Sequence, residues 1–354
     1  MAAEIKAFSS ISIFTDDEDE ESTVADLGDY IETCYYGDET DPSERRPIFK
    51  QGVGYYRPQL RQDRTNRIII YPGVFNPPHR AHQAMVHYAF SCSQDIDAIA
   101  VIVIPVSDRT SNNSSNNSSK KYVEDACFTM AQRVRLWSGD NGPHDWLWVY
   151  DQGGSKWDTF RRDLTCAIQK DGFILEFVYL SGPDRIGRSP WDCDNIIVSN
   201  VGREADFVIE GEVCLQLDRY GSWKRILYRG RPHPWEAIKN MPPWLLSSLA
   251  LIMQGSNAES TEKLHLRYIK MVTRMRVCWN RRHPNWWIRC IPASDSRLHM
   301  SSTDIRYIIK TCPPDELLEK LKGKALHPEI LVQCVEEFRL RKSASQSESP
   351  EQME

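Results

Sequence analysis

An apolar run, Ile68-Ile69-Ile70-Tyr71, leads through Gly73-Val74-Phe75-Asn76-Pro77-Pro78 into His79-Arg80-Ala81-His82. The run reads as a buried strand. Ala81, Ala84, Met85 and Tyr88 then recur at i, i+3, i+4 and i+7, which predicts a helix starting near Arg80 with its apolar face on a sheet. This strand, turn and helix start constrain the fold more than any other segment. They aim the helix's first N–H groups and positive dipole end at the crevice beyond the strand, where open α/β sheets bind anions. Gly73 permits a tight backbone path near a ligand, and Pro77 and Pro78 stiffen the approach. His79 and His82, one turn apart, can both donate to phosphate oxygens. Histidines taken alone are more often surface or capping residues than ligands; the preceding strand and turn point instead to a triphosphate site.

The rest of the chain alternates in the same way. Ala98 to Pro105 is a continuous apolar run of the kind found in buried parallel strands. A helix is predicted from about Tyr122 to Trp137, with Val123, Cys127, Met130, Val134 and Trp137 at steps of four and three. Further strands are expected at Trp146 to Tyr150, Phe173 to Leu180 and around Ile196 to Ile209, with a helix at Trp157 to Ile168. Strands alternating with helices imply an α/β, doubly wound, mostly parallel Rossmann-like sheet with right-handed crossovers.

Around this core lie the expected additions. Residues 1–64 are acidic and turn-rich and read as a largely flexible arm. The main domain covers 65–340, with a mainly helical insertion at 210–284 carrying helices at Pro243 to Gln254 and Ser260 to Trp279. The latter has Leu264, Tyr268, Met271, Val272 and Met275 on one face and Lys263, Arg267, Lys270 and Arg274 elsewhere. A solvated surface is the default reading of those cations, a phosphate contact the other. Ser111 to Ser119, nine Asn and Ser residues, is either a mobile lid or a neutral insertion. A helix at Glu329 to Leu340 closes the core, and 341–354 reads as a disordered tail.

Composition narrows the classes. A net charge of −5 gives no general case for a nucleic-acid or membrane-surface partner. Ten cysteines without a C-x-x-C pair indicate neither a zinc site nor a disulfide framework. Met1 to Phe14 lacks the pattern of a signal peptide, and Trp244 to Met253 is too short to span a bilayer. The expected setting is intracellular and reducing, cytoplasm or nucleus, and a homo-oligomer is compatible with the sequence.

A second motif is Ser301-Ser302-Thr303-Asp304-Ile305-Arg306. Hydroxyl residues ahead of the apolar pattern Ile305, Ile308, Ile309 suit a helix N-cap, and that role alone accounts for them. The same place also offers hydroxyl and N–H donors to phosphate, and Arg306 adds a charged fork one turn in. Two helix N-termini meeting at one crevice would hold a triphosphate from both sides.

The first segment resembles the Gly-x-Phe-x-Pro-x-His-x-Gly-His motif of the nucleotidylyltransferase superfamily, with Gly73, Phe75, Pro77, His79 and His82 in place and Ala81 where the family has glycine. The second resembles the Ile-Ser-Ser-Thr-x-Ile-Arg motif of adenylyl-transferring members, with Met300 for the isoleucine. Ser107-Asp108, Lys120-Lys121, Met130 and Arg133 resemble the segment after the second strand in nicotinamide and nicotinate mononucleotide adenylyltransferases. Gly182-Pro183-Asp184 is similar to their Gly-x-Asp, and Trp191 to the tryptophan that follows. Where eukaryotic members have a Trp-Glu pair that orients the pyridine ring, the corresponding stretch here reads Val149-Tyr150-Asp151-Gln152-Gly153-Gly154, in which Tyr150 could stack and Asp151 accept a hydrogen bond.

The resemblance implies nucleotidyl transfer from ATP to a small phosphomonoester. It assigns His79, His82 and Arg306 to catalysis, and Gly73, Val74, Phe75, Lys121, Gly182, Asp184, Ser301, Ser302 and Thr303 to the nucleotide. Tyr150, Asp151 and Trp191 are assigned to the acceptor. Mg2+ would arrive with the triphosphate rather than in a protein cage. CTP or another phosphorylated acceptor, and a nucleotide-binding relative without turnover, are the alternatives. The Arg-x-x-Gly-x-Ser-Thr-Thr signature of cytidylyl transfer and the Lys-Met-Ser-Lys-Ser loop of class I aminoacyl-tRNA synthetases are both absent.

Overall fold

The computed structural model describes residues 23–37, 40–41, 43, 45, 48–49, 56–106, 128–139, 145–182, 193–201, 208–209, 213–226, 261–292 and 300–347. The chain opens with β1 (Val24–Asp26), α1 (Leu27–Tyr36), β2 (Gln59–Arg61) and β3 (Thr65–Gly73). Then come α2 (Arg80–Ser91), β4 (Ala98–Pro105), α3 (Met130–Ser138), β5 (Leu147–Val149), α4 (Gly154–Lys170), β6 (Ile174–Ser181) and β7 (Asn195–Ser199). Two short pairs of residues, β8 (Val208–Ile209) and β9 (Val213–Cys214), form a hairpin, followed by β10 (Lys224–Arg225). The last part holds α5 (Thr261–Arg274), β11 (Arg276–Trp279), β12 (Trp287–Ile291), α6 (Ser302–Thr311), α7 (Leu317–Leu321) and α8 (Pro328–Ser347).

The main sheet is ordered β10-β11-β12-β7-β6-β3-β4-β5. From β12 to β5 every pairing is parallel, and β10 and β11 add an antiparallel edge. Taken in chain order, the six parallel strands are arranged 3-2-1-4-5-6 across the sheet, the Rossmann arrangement, and the order reverses between β3 and β6. The period of two along β3 sorts its side chains to two cores. Ile69 and Tyr71 face one, with Val101 and Val103 of β4 and the helices α2 and α5. Ile68 and Ile70 face the other, with Ile102 and Ile104 of β4 and the helices α1 and α4. A third cluster joins α6, α7 and α8 through Ile305, Ile309, Leu321, Leu331 and Val335.

Four expectations change. Part of the N-terminal region is built into the domain: Asp26 caps α1 by accepting from Gly28 N at 2.7 Å, and Leu27 and Ile31 are fully buried in the second core. The apolar i, i+4 spacing of these two residues outweighs the acidic surroundings. The expected helix 260–279 ends at Arg274, because Arg276 to Trp279 pairs with Trp287 to Cys290 as an edge strand. The insertion therefore extends the sheet with β10 and β11; the helix expected at 243–254 lies outside the described residues. The closing helix continues to Ser347, into the stretch expected to be a disordered tail. Among the described residues, no helix is long and apolar enough to cross a membrane.

Candidate functional site

The turn after β3 sits at the carboxyl end of the central strand, beside the point where strand order reverses. Gly73 is required there by Phe75: a Cβ on Gly73 would lie 2.6 Å from two carbons of the Phe75 ring. Phe75 holds φ at +46°, in the left-handed region that a bulky side chain avoids. Its ring packs on Tyr71 at 5.0 Å, on Trp137 at 5.1 Å and edge-on to His82 at 5.1 Å. The Phe75 ring thus fills the space that a side chain at position 73 would need.

His79 caps α2 from an extended conformation and is 4% exposed. Its ring stacks on His82 with centroids 3.7 Å apart. The His79 amide donates to Nδ1 of His82 at 3.3 Å, so Nδ1 acts as acceptor and the proton of the neutral His82 ring sits on Nε2, where it can donate. The loop after α7 crosses this motif: His79 bridges Ala325, and the Arg80 amide donates to Lys324 O at 3.0 Å. One of the helix-end donors expected to face an anion is thus already used. Ala81 is buried.

The second motif meets the first directly. Ser301 caps α6 reciprocally with Asp304, as the simpler reading of the sequence expects. Beyond that role, Ser302 Oγ donates to Pro77 O at 2.9 Å. Arg306 Nη1 donates to Asn76 O and Nη2 to Thr303 Oγ1 at 3.1 Å. Two helix N-termini are therefore joined across Asn76 and Pro77. At α6 the first-turn amides of Ser302 and Thr303 have no partner within the helix.

Two supporting residues were not given their roles by sequence reading. Arg133, 4% exposed, donates through Nη1 to both Val74 O and Val106 O, tying the turns after β3 and β4. Asn76 is buried and accepts from Phe128 N at 3.0 Å, joining the paired-histidine turn to the start of α3. Only an Asn between Phe and Pro, and an Arg in an apolar helix stripe, marked them in the sequence.

Gly182 follows β6 and its carbonyl accepts from Ser181 Oγ at 2.9 Å. Lys121, Asp184 and Trp191, with Ser107, Asp108 and the run 111–119, lie outside the described residues. The stacking role expected of Tyr150 is corrected: the residue has 0% exposure, enclosed by Tyr35, Trp148, Trp157 and Phe160. Burial, reinforced by the Asp151 carboxylate, pushes its hydroxyl up to about 12. Asp151 is exposed and accepts from Tyr35 OH.

Among solved structures, the chain is similar to Plasmodium falciparum nicotinic acid mononucleotide adenylyltransferase complexed with NaAD, at 12% identity and a TM-score of 0.36, over 78% of this chain and 98% of that one. It is also similar to the same Plasmodium enzyme complexed with APC, at 10% identity and the same score and coverage. No family model and no curated protein matches the sequence. What the site can do follows from its own residues.

Proposed function

We propose that this chain transfers a nucleotidyl group from ATP to a small phosphomonoester and releases pyrophosphate, with nicotinate or nicotinamide mononucleotide as the favoured acceptor. The observation that carries this reading is the joining of the α2 and α6 N-termini by Ser302 and Arg306 across Asn76 and Pro77, with both histidines in the same turn.

A phosphomonoester has a second pKa of about 6, so the attacking oxygen is already anionic near neutral pH and needs no general base. The work left to the protein is to align two anions that repel and to stabilise charge on the transferring phosphoryl group. His82 Nε2–H is assigned to the α-phosphate, and His79 to the neighbouring phosphates. The Ser302 and Thr303 amides, with the Arg306 guanidinium, are assigned to the β- and γ-phosphates, where a helix end and a fork of donors suit pyrophosphate. Magnesium, carried by the triphosphate, would neutralise part of its charge. Among the described residues no group of three or more His, Cys, Asp or Glu is placed to hold a metal ion.

The test is a pyrophosphate-release screen crossing ATP and CTP with nicotinate mononucleotide, nicotinamide mononucleotide and phosphopantetheine. Release with ATP and a pyridine mononucleotide supports the proposal. Release with CTP alone reassigns the donor. No release from any pair overturns transfer in favour of nucleotide binding alone.

A further inference from the structure

We propose that α1 forms the acceptor-side wall of the site and that Tyr35 is a positioning residue for Asp151, an inference that rests on the transferase reading. Leu27, Ile31 and Tyr35 fall at i, i+4 and i+8 on one stripe of α1. The first two anchor the helix in the core, and the third emerges beside the turn between β5 and α4. There the Tyr35 ring meets Trp148 edge-on at 5.1 Å, and also Tyr150 at 6.0 Å and Phe160 at 6.3 Å. Its hydroxyl donates to Asp151 Oδ1 and is also bonded by the Gln152 side chain. The far end of α1 is held separately, by Tyr30 OH donating to Asp171 Oδ2 at 2.5 Å, so Tyr35 is not needed merely to dock the helix.

Asp151 follows β5 at the same end of the parallel sheet as the paired histidines. Its turn lies against Met130, the first residue of α3. Met130 Cε lies 3.6 Å from where a Cβ on Gly153 would stand, and Met130 opens α3, whose Arg133 grips Val74 O. A carboxylate has two oxygens with about four lone-pair positions. Tyr35 occupies Oδ1 and fixes the plane of the group, which leaves Oδ2 to accept from a ligand. The acceptor class this fits is a phosphomonoester with a hydroxyl or amide N–H at the end remote from its phosphate. With Tyr150 fully buried, Asp151 is the group of this turn that is left exposed to meet that end.

The experiment compares the full-length wild-type chain with Tyr35→Phe, which deletes one hydroxyl and keeps the ring. Pyrophosphate release is measured with ATP against nicotinate and nicotinamide mononucleotides, alongside thermal melting. The expected result is a KM for nicotinamide mononucleotide, the acceptor that carries an amide N–H, raised about tenfold, with the KM for nicotinate mononucleotide, kcat and the KM for ATP each changed less than about twofold and the melting temperature held. Asp151→Asn should raise the same KM, and the double variant should add little, because the two groups act as one network. An unmoved acceptor KM overturns the role of Tyr35 while leaving transfer intact. So does a parallel rise in both KM values with a lowered melting temperature, the signature of mere destabilisation. Wild-type chain that turns over none of the acceptors overturns the transferase reading itself, and the role of Tyr35 with it.

Discussion

His82 is held by its neighbours on every side the structure shows: His79 below, Phe75 and Trp137 at its edges, and the His79 amide on Nδ1. That arrangement fixes which nitrogen donates, and it separates two roles by magnitude. Loss of a capping contact costs about 1 kcal/mol of stability. Loss of a donor to the transferring phosphoryl group costs roughly 100-fold or more in turnover. His82→Ala should show the second with the fold retained, measured by pyrophosphate release and circular dichroism; intact turnover would return the residue to a capping role. Gly73 makes a different prediction. Gly73→Ala forces its methyl group into the Phe75 ring, and overpacking of this kind costs about 1–3 kcal/mol. Adding Phe75→Leu should restore part of the loss in urea unfolding. The paired-histidine motif was legible in the sequence because its residue types and spacing are specific. The cause of its glycine was not, since it depends on a backbone angle at Phe75 that no residue type announces.

Elements were legible where one periodicity ruled. The strand Ala98–Pro105 and the helix over α4 follow from an apolar run and from a 3.6-residue stripe. α1 was missed because its stripe is short and set in acidic sequence, so composition masked position. Tyr30 and Tyr150 give this region a pH dependence with a definite sign. Burial first, with Asp171 second, pushes Tyr30 up to about 12; burial first, with Asp151 second, does the same for Tyr150. Below pH 10, both hydroxyls keep their protons folded or unfolded, and their contribution is fully present. Between pH 10 and about 12 the unfolded chain releases protons that the folded chain retains, so stability falls with rising pH. Urea unfolding at pH 9 and pH 11 should show this fall, and it should be shallower in Tyr30→Phe. An equal fall in the variant would exclude Tyr30 and leave the effect to Tyr150.

Across the whole molecule, Arg289 of β12 pairs with Asp95, which follows α2, and also donates to Cys92 O at 2.9 Å. Both side chains are buried. Removing one member of a buried pair leaves a desolvated charge, so Asp95→Ala should destabilise by about 3–5 kcal/mol, whereas Asp95→Leu with Arg289→Met should recover most of it. A small loss in the single variant would show that water reaches the guanidinium.

The bonds from Ser302 to Pro77 and from Arg306 to Asn76 join residues 225 and 230 positions apart. A ribosome that has released the whole of β3 through β7 has therefore still made only one jaw of the site. Messages cut short before residue 302 would yield chains with the paired histidines and no clamp, and with β3, β4 and β6 free to assemble. Selection acting on such a gene falls as heavily on Ser302 and Arg306 as on the paired histidines, and frameshifts ahead of Ser302 should score as null alleles.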